Sequence, residues 1–110
     1  MRDITLSKVK VVTGENFNAI INDGPLTIID CWAAWCGPCR MISPIIDELS
    51  EQYTQVTFGK LNVDENKALA AKFDIMAIPT LLFLKGGKLV DTLVGAVPKS
   101  VIEDKIHILS

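Results

Sequence analysis

Two cysteines three residues apart, Cys36 and Cys39 in Trp35-Cys36-Gly37-Pro38-Cys39-Arg40, are the groups of this chain best suited to chemistry. The run before them, Leu26 to Trp32, is short, apolar and β-rich and reads as a buried strand. The run after them, Arg40 to Tyr53, carries Met41, Ile42, Ile45, Ile46 and Leu49 at helical spacing. The pair therefore stands where a strand gives way to a helix. Cys36 falls in the turn or at the first helical position, and Cys39 about one turn later. Residues i and i+3 share a helix face, so the two sulfurs can approach to bonding distance. The first N–H groups of a helix lack intrahelical partners, and the dipole there favours negative charge. A thiol at that end ionises more readily than a free cysteine, which points to Cys36 as the nucleophile. Pro38 suits the first helical turn and stiffens the link between the sulfurs. Gly37 lets a partner backbone come close.

Other uses of the pair have to be weighed. A structural zinc site needs four ligands, and only Cys31 and His107 could join, one in the strand and one near the far end. A static disulfide would be unusual in a cytosolic chain, and a tight loop at a helix start would leave it easily reduced.

With 110 residues, 49% of them apolar, the chain suits a single domain over 1–110 with a full core and no need of disulfide staples. Residues 1–8 read as a short N-terminal extension. A net charge of −2, with no basic block, argues against nucleic acid and anionic membrane as partners. Residues 1–25 lack a basic-then-apolar signal pattern, and no stretch is long enough to span a bilayer. Three cysteines, an odd number, fit a reducing compartment, so a cytoplasmic protein is expected.

The elements that must position the pair follow from patterning. Val9 to Val12 reads as a short strand. A helix is expected from Glu15 to about Asn22, with Phe17, Ile20 and Ile21 inward, before the stop signal Asp23-Gly24-Pro25. Pro44 should kink the long helix near Met41. Val56 to Val63 is a further strand. Asp64-Glu65-Asn66 offers turn and capping chemistry for a short helix through Phe73. Thr80–Leu84 and Leu89–Val94 flank Gly86-Gly87, a strong hairpin signal. A last helix covers about Lys99 to Leu109. The order β-α-β-α-β-α-β-β-α implies an α/β fold, a mixed sheet with helices on both faces.

In these features the chain closely resembles the thioredoxin family. The resemblance rests on Asp30, the Trp35-to-Cys39 motif, Lys60, Ile78-Pro79-Thr80, Gly86-Gly87 and Gly95-Ala96, in the right order, and covers roughly residues 9–109. It implies the thioredoxin fold, a five-stranded mixed central sheet flanked by four helices. It also implies a protein-disulfide reductase with no cofactor of its own, a monomer that acts on disulfide-containing proteins and is recycled by a separate thioredoxin reductase. In that reaction Cys36 attacks a target disulfide and Cys39 resolves the mixed species. The alternative is a binding or structural module that uses the same apolar groove without turnover. Cys31 departs from a family position that is often aromatic, and Ala34 from one that is often charged or polar.

Asp30 lies among apolar strand residues, where an ionised carboxyl is costly, so its pKa should rise. By resemblance it sits beneath Cys39 and relays that thiol's proton. A solvated strand-end carboxylate is the plainer alternative. Lys60, on the neighbouring strand, could partner and tune Asp30, or could simply snorkel to the surface. The resemblance makes the Ile78–Pro79 bond cis, facing the active cysteine, and lines a shallow uncharged groove with Trp35, Gly37, Pro38, Ile78, Pro79, Gly95 and Ala96. An extended substrate would pair there with the Ile78 backbone. Trp32 is read as packing under the active-site loop, Cys31 as a small buried hydrophobe, and His107 as a solvated surface histidine.

Overall fold

The computed structural model describes residues 7–110. Its elements in chain order are β1 (Lys10–Val11), α1 (Phe17–Ile21), β2 (Leu26–Trp32), α2 (Cys39–Gln52), β3 (Val56–Asn62), α3 (Lys67–Lys72), β4 (Thr80–Lys85), β5 (Lys88–Val94) and α4 (Lys99–Leu109). The strands form one sheet in the order β1-β3-β2-β4-β5. β1 and β2 run parallel to β3, and β4 runs antiparallel to β2 and β5.

β2 is central because it is apolar on both faces. Alternation along it sends Leu26 and Ile28 to one layer and Ile29 and Cys31 to the other. The first layer packs α2 and α4, through Ile42, Ile46, Leu49, Ile102 and Ile106, against Leu26, Ile28, Phe58, Leu81 and Phe83. The second packs α1, through Phe17, Ile20 and Ile21, against Ile29, Cys31, Leu61, Leu82 and Leu84, with Leu69 and Phe73 alongside. Asp30 shares the parity of Ile28, so the sheet turns its carboxyl towards α2. It stands in register with Lys60 on β3 and Leu81 on β4.

Local chemistry accounts for where the elements depart from expectation. α1 starts at Phe17 rather than Glu15 because Thr13 and Asn16 bind each other. The Thr13 N–H donates to Asn16 Oδ1 at 2.7 Å, and the Asn16 N–H donates to Thr13 Oγ1 at 3.3 Å. Before α3, the side chain that gathers free N–H groups is Asn62, not Asn66. Asn62 Oδ1 accepts from the N–H of Asp64 at 2.9 Å and of Glu65 at 3.2 Å. Pro44 lies inside α2 as expected, on the exposed face, where water can solvate the carbonyl of Arg40 that loses its partner. In the β4–β5 hairpin Gly86 and Gly87 have φ of 57° and 78°, the pair of positive values a two-residue type I′ turn demands. Of the expected extension over 1–8, residues 1–6 lie outside the described residues. Ser7 and Lys8 are tied to α2, Ser7 Oγ donating to Asp47 Oδ1 at 2.8 Å and the Lys8 N–H to Ser50 Oγ at 3.1 Å.

Candidate active site

The loop between β2 and α2 winds into the helix through successive tight turns. The Cys36 N–H donates to the Ala33 carbonyl at 3.1 Å, Arg40 to Gly37 at 3.0 Å and Met41 to Pro38 at 3.1 Å. Pro38 already has helical dihedrals, φ −59° and ψ −28°, so its fixed ring sets the entry to α2. Cys39 is the first helical residue and Cys36 lies in the preceding turn. The two are joined as a disulfide, with Cα atoms 5.4 Å apart. The Cys39 N–H donates to Cys36 Sγ at 3.2 Å. One of the free N–H groups of the helix start therefore points at the sulfur expected to be the nucleophile, where it would stabilise a thiolate.

Exposure does not distinguish the two cysteines, since each is 3% exposed. Their surroundings do. Cys36 is bracketed by exposed Trp35, Gly37 and Pro38, and its Sγ lies 3.8 Å from the carbonyl oxygen of Ile78, 42 residues away. Cys39 instead faces inward. With Asp30, Trp32, Ala33, Ala34, Arg40, Ser43 and Lys60 it lines a cavity of about 170 Å³.

Asp30 is 3% exposed, and its Oδ1 has no hydrogen-bond partner among the described residues. Burial pushes its carboxyl up to about 7. The Lys60 ammonium opposes that rise, and the Asp47 carboxylate adds to it. Lys60 is exposed and forms no ion pair with Asp30 among the described residues, so it acts on the carboxyl through its field alone. The Arg40 Nη2 donates to the Ala34 carbonyl at 3.2 Å, holding the loop from the far side. Trp32 is half-buried and packs against Ala33, Cys36 and Cys39.

The Ile78–Pro79 bond is cis. Pro79 is itself buried, and its carbonyl accepts the Gly95 N–H at 2.8 Å, so this bond ties the Gly95–Ala96 turn to the loop before β4. What reaches the surface is Ile78, half-buried, whose N–H and carbonyl take no backbone partner among the described residues. Trp35 stands out at 71% exposure, fixed by its Nε1–H donating to Asp64 Oδ2 at 2.8 Å. Between Trp35 and Ile78 opens a groove of about 460 Å³ with further walls from Val63, Lys67, Ala70, Ile75, Met76 and Ala77. The sequence reading missed these walls and Asp64. The signal available in the sequence was Met76, two residues before Ile78.

Cys31 is fully buried in the α1 layer, and burial, with the Asp30 charge beside it, pushes its thiol up to about 12. His107 lies exposed on α4, its ring edge-on to Tyr53 at 5.9 Å. Neither belongs to the site.

The thioredoxin family model matches residues 8–108. Thioredoxin 2 of Chlorobaculum tepidum is 49% identical over 96 residues, covering 86% of this chain and 88% of that relative. A Synechocystis thioredoxin is 46% identical over 104 residues, covering 93% of this chain and 97% of its own length. Among solved structures, a mutant thioredoxin from Halobacterium salinarum NRC-1 superposes with a TM-score of 0.88 at 32% identity, covering 93% of this chain and 90% of that one. A Plasmodium falciparum thioredoxin superposes with a TM-score of 0.85 at 40% identity, covering 93% and 100%.

Proposed function

The chain belongs to the thioredoxin family and is a thiol–disulfide oxidoreductase, and from that premise we propose that it runs as a general protein-disulfide reductase with Cys36 leading. Reduced Cys36 ionises at the start of α2, where the Cys39 N–H meets its sulfur. The thiolate attacks one sulfur of a target disulfide. A bond forms between Cys36 and that sulfur, and the other leaves as a thiolate. Cys39 then loses its proton to the Asp30 carboxylate across the shared cavity and attacks Cys36 Sγ. The Cys36–Cys39 bond forms, the mixed bond breaks, and the electron pair departs with the second target sulfur. The target has gained two electrons, and Asp30 holds one proton to return to solvent.

A carboxyl with a pKa of about 7 suits that transfer, being ready near neutral pH both to take a proton and to release it. Lys60 keeps part of the Asp30 population ionised. Trp35, Gly37, Pro38, Ile78, Gly95 and Ala96 supply an uncharged contact surface, and the Ile78 backbone, which takes no backbone partner among the described residues, offers an extended target a strand-like partner. Pro79 serves that surface from beneath, through its bond to Gly95. Recycling falls to a thioredoxin reductase, and three cysteines with one left unpaired suit the cytoplasm.

The observation that carries this reading is the split environment of the pair, Cys36 beside the groove and Cys39 on the Asp30 cavity. Reduction of insulin with dithiothreitol as electron source tests it. The parent chain should accelerate precipitation of the insulin B chain, and the Cys36→Ser/Cys39→Ser variant should not. Equal rates would leave a binding module in its place.

A further inference from the structure

Two buried polar atoms lack a partner among the described residues, Oδ1 of Asp30 and Nε1 of Trp32. Native buried polar atoms are nearly always paired, so each calls for an explanation. They belong to residues two apart on β2, whose side chains share a face, and both residues line the cavity of about 170 Å³ beside Cys39. Their chemistry is complementary. An indole N–H can only donate, and a carboxylate oxygen accepts. Water does both, and the cavity is several times the roughly 30 Å³ that one water occupies in the liquid.

The mouth of the cavity carries Arg40, Ser43 and Lys60, all exposed. Arg40 and Lys60 can only donate, whereas the Ser43 hydroxyl both donates and accepts. It alone among these side chains can pass a proton along a hydrogen-bonded chain.

We propose that Trp32 is a positioning residue for Asp30: its indole N–H anchors water that hydrogen-bonds Asp30 Oδ1, and that water leads past Ser43 to solvent. The inference rests on the relay reading of Asp30 and adds the exit of the relayed proton. The protonated carboxyl gives its proton to the anchored water, which passes one on at the Ser43 mouth, so Asp30 is ionised again for the next turnover. The charged and titratable groups around Asp30 are Cys31 beside it on β2, Cys39, Arg40 and Asp47 from α2 and Lys60 from β3. β4 presents apolar Leu81. Arg40 is engaged with the Ala34 carbonyl, which leaves the Trp32 N–H as the buried donor without a partner.

Trp32→Phe keeps the ring and removes the donor. Carbon-13 NMR of the Asp30 carboxyl in the oxidised protein should show its titration moved upward by about half to one pH unit, the size of one lost hydrogen bond. Single-turnover resolution of a mixed disulfide near neutral pH should slow by about three- to tenfold for the same reason. In an Asp30→Asn background Trp32→Phe should slow resolution no further. An Asp30 titration that stays in place overturns the proposal, even where turnover falls, because loss of packing would lower the rate without moving that midpoint. Should Trp32→Phe not fold, oxygen-17 relaxation dispersion on the parent and on Ser43→Ala decides. Long-lived internal water in the parent with faster exchange in the variant supports the path, and its absence or unchanged exchange refutes it. Failure of the relay reading looks different, with Asp30→Asn resolving mixed disulfides at the parent rate.

Discussion

Replacing Asp30 by Asn should stabilise the oxidised protein in a pH-dependent way whose size the structure sets. The folded carboxyl titrates at about 7 against an ordinary value of 3.8. Below pH about 4 both folded and unfolded chains hold the proton, and ionisation contributes nothing to stability. Between about 4 and 7 the unfolded chain has lost its proton while the folded chain keeps it. Stability of the parent therefore falls as pH rises, with a limiting slope of about 1.4 kcal/mol per pH unit. Above about 7 the folded carboxyl ionises too and the penalty levels off, roughly three units, or about 4 kcal/mol as an upper figure. Asn cannot ionise, so the variant lacks this slope. Its buried amide carries its own cost of about 1–3 kcal/mol, but that cost is the same at every pH and cancels from the difference between pH 8 and pH 4. Urea melts of both oxidised proteins from pH 4 to pH 8 provide the assay. The gain of Asn over Asp should grow across that range by about 2–4 kcal/mol, most of it between pH 5 and 7. Parallel stability curves would mean that the Asp30 carboxyl is solvated in the folded chain, and the site's chemistry would have to be rebuilt without it.

Cys39→Ser should accumulate a mixed disulfide with target proteins, and Cys36→Ser should form none, read by non-reducing gels after acid quenching; equal trapping by both would reverse the order of attack. Cys31, buried with its thiol pushed up to about 12, should resist iodoacetamide in the native reduced protein while Cys36 labels within minutes, as timed mass spectrometry would report. Gly59→Ala should cost about 1–3 kcal/mol in a denaturant melt, because its Cβ would stand 2.6 Å from Val12 Cγ2 and 2.9 Å from Ile29 Cδ1 inside the sheet. A neutral result there would show that the Val12 and Ile29 side chains can turn aside at no cost.

The sequence by itself determined what depends on neighbours along the chain. β2 runs from Leu26 to Trp32 as its apolar pattern requires, and α4 from Lys99 to Leu109. Gly86-Gly87 makes the hairpin because two successive positive φ values are costly for other residues. The three-residue spacing of Cys36 and Cys39 at a strand-to-helix junction places the pair at a helix start, and the apolar flanks of Asp30 foretell its raised pKa. Where a distant or competing side chain intervenes, local pattern stops being informative. Thr13 and Asn16 delay α1, and Asn62 binds the N–H groups of the turn before α3 while the N-cap Asn66 makes no side-chain cap bond, through hydrogen bonds that propensity does not weigh. Tertiary structure alone decided that Ile78 meets Cys36 and that Asp64 holds Trp35. It also decided that Pro79 is buried while Met76 forms the groove wall, and that Asp30 and Trp32 share one cavity with Cys39. Each of these depends on which strands pair and on which face a helix lands. Those choices are made by the summed burial of two apolar layers, and no short stretch of sequence encodes that sum.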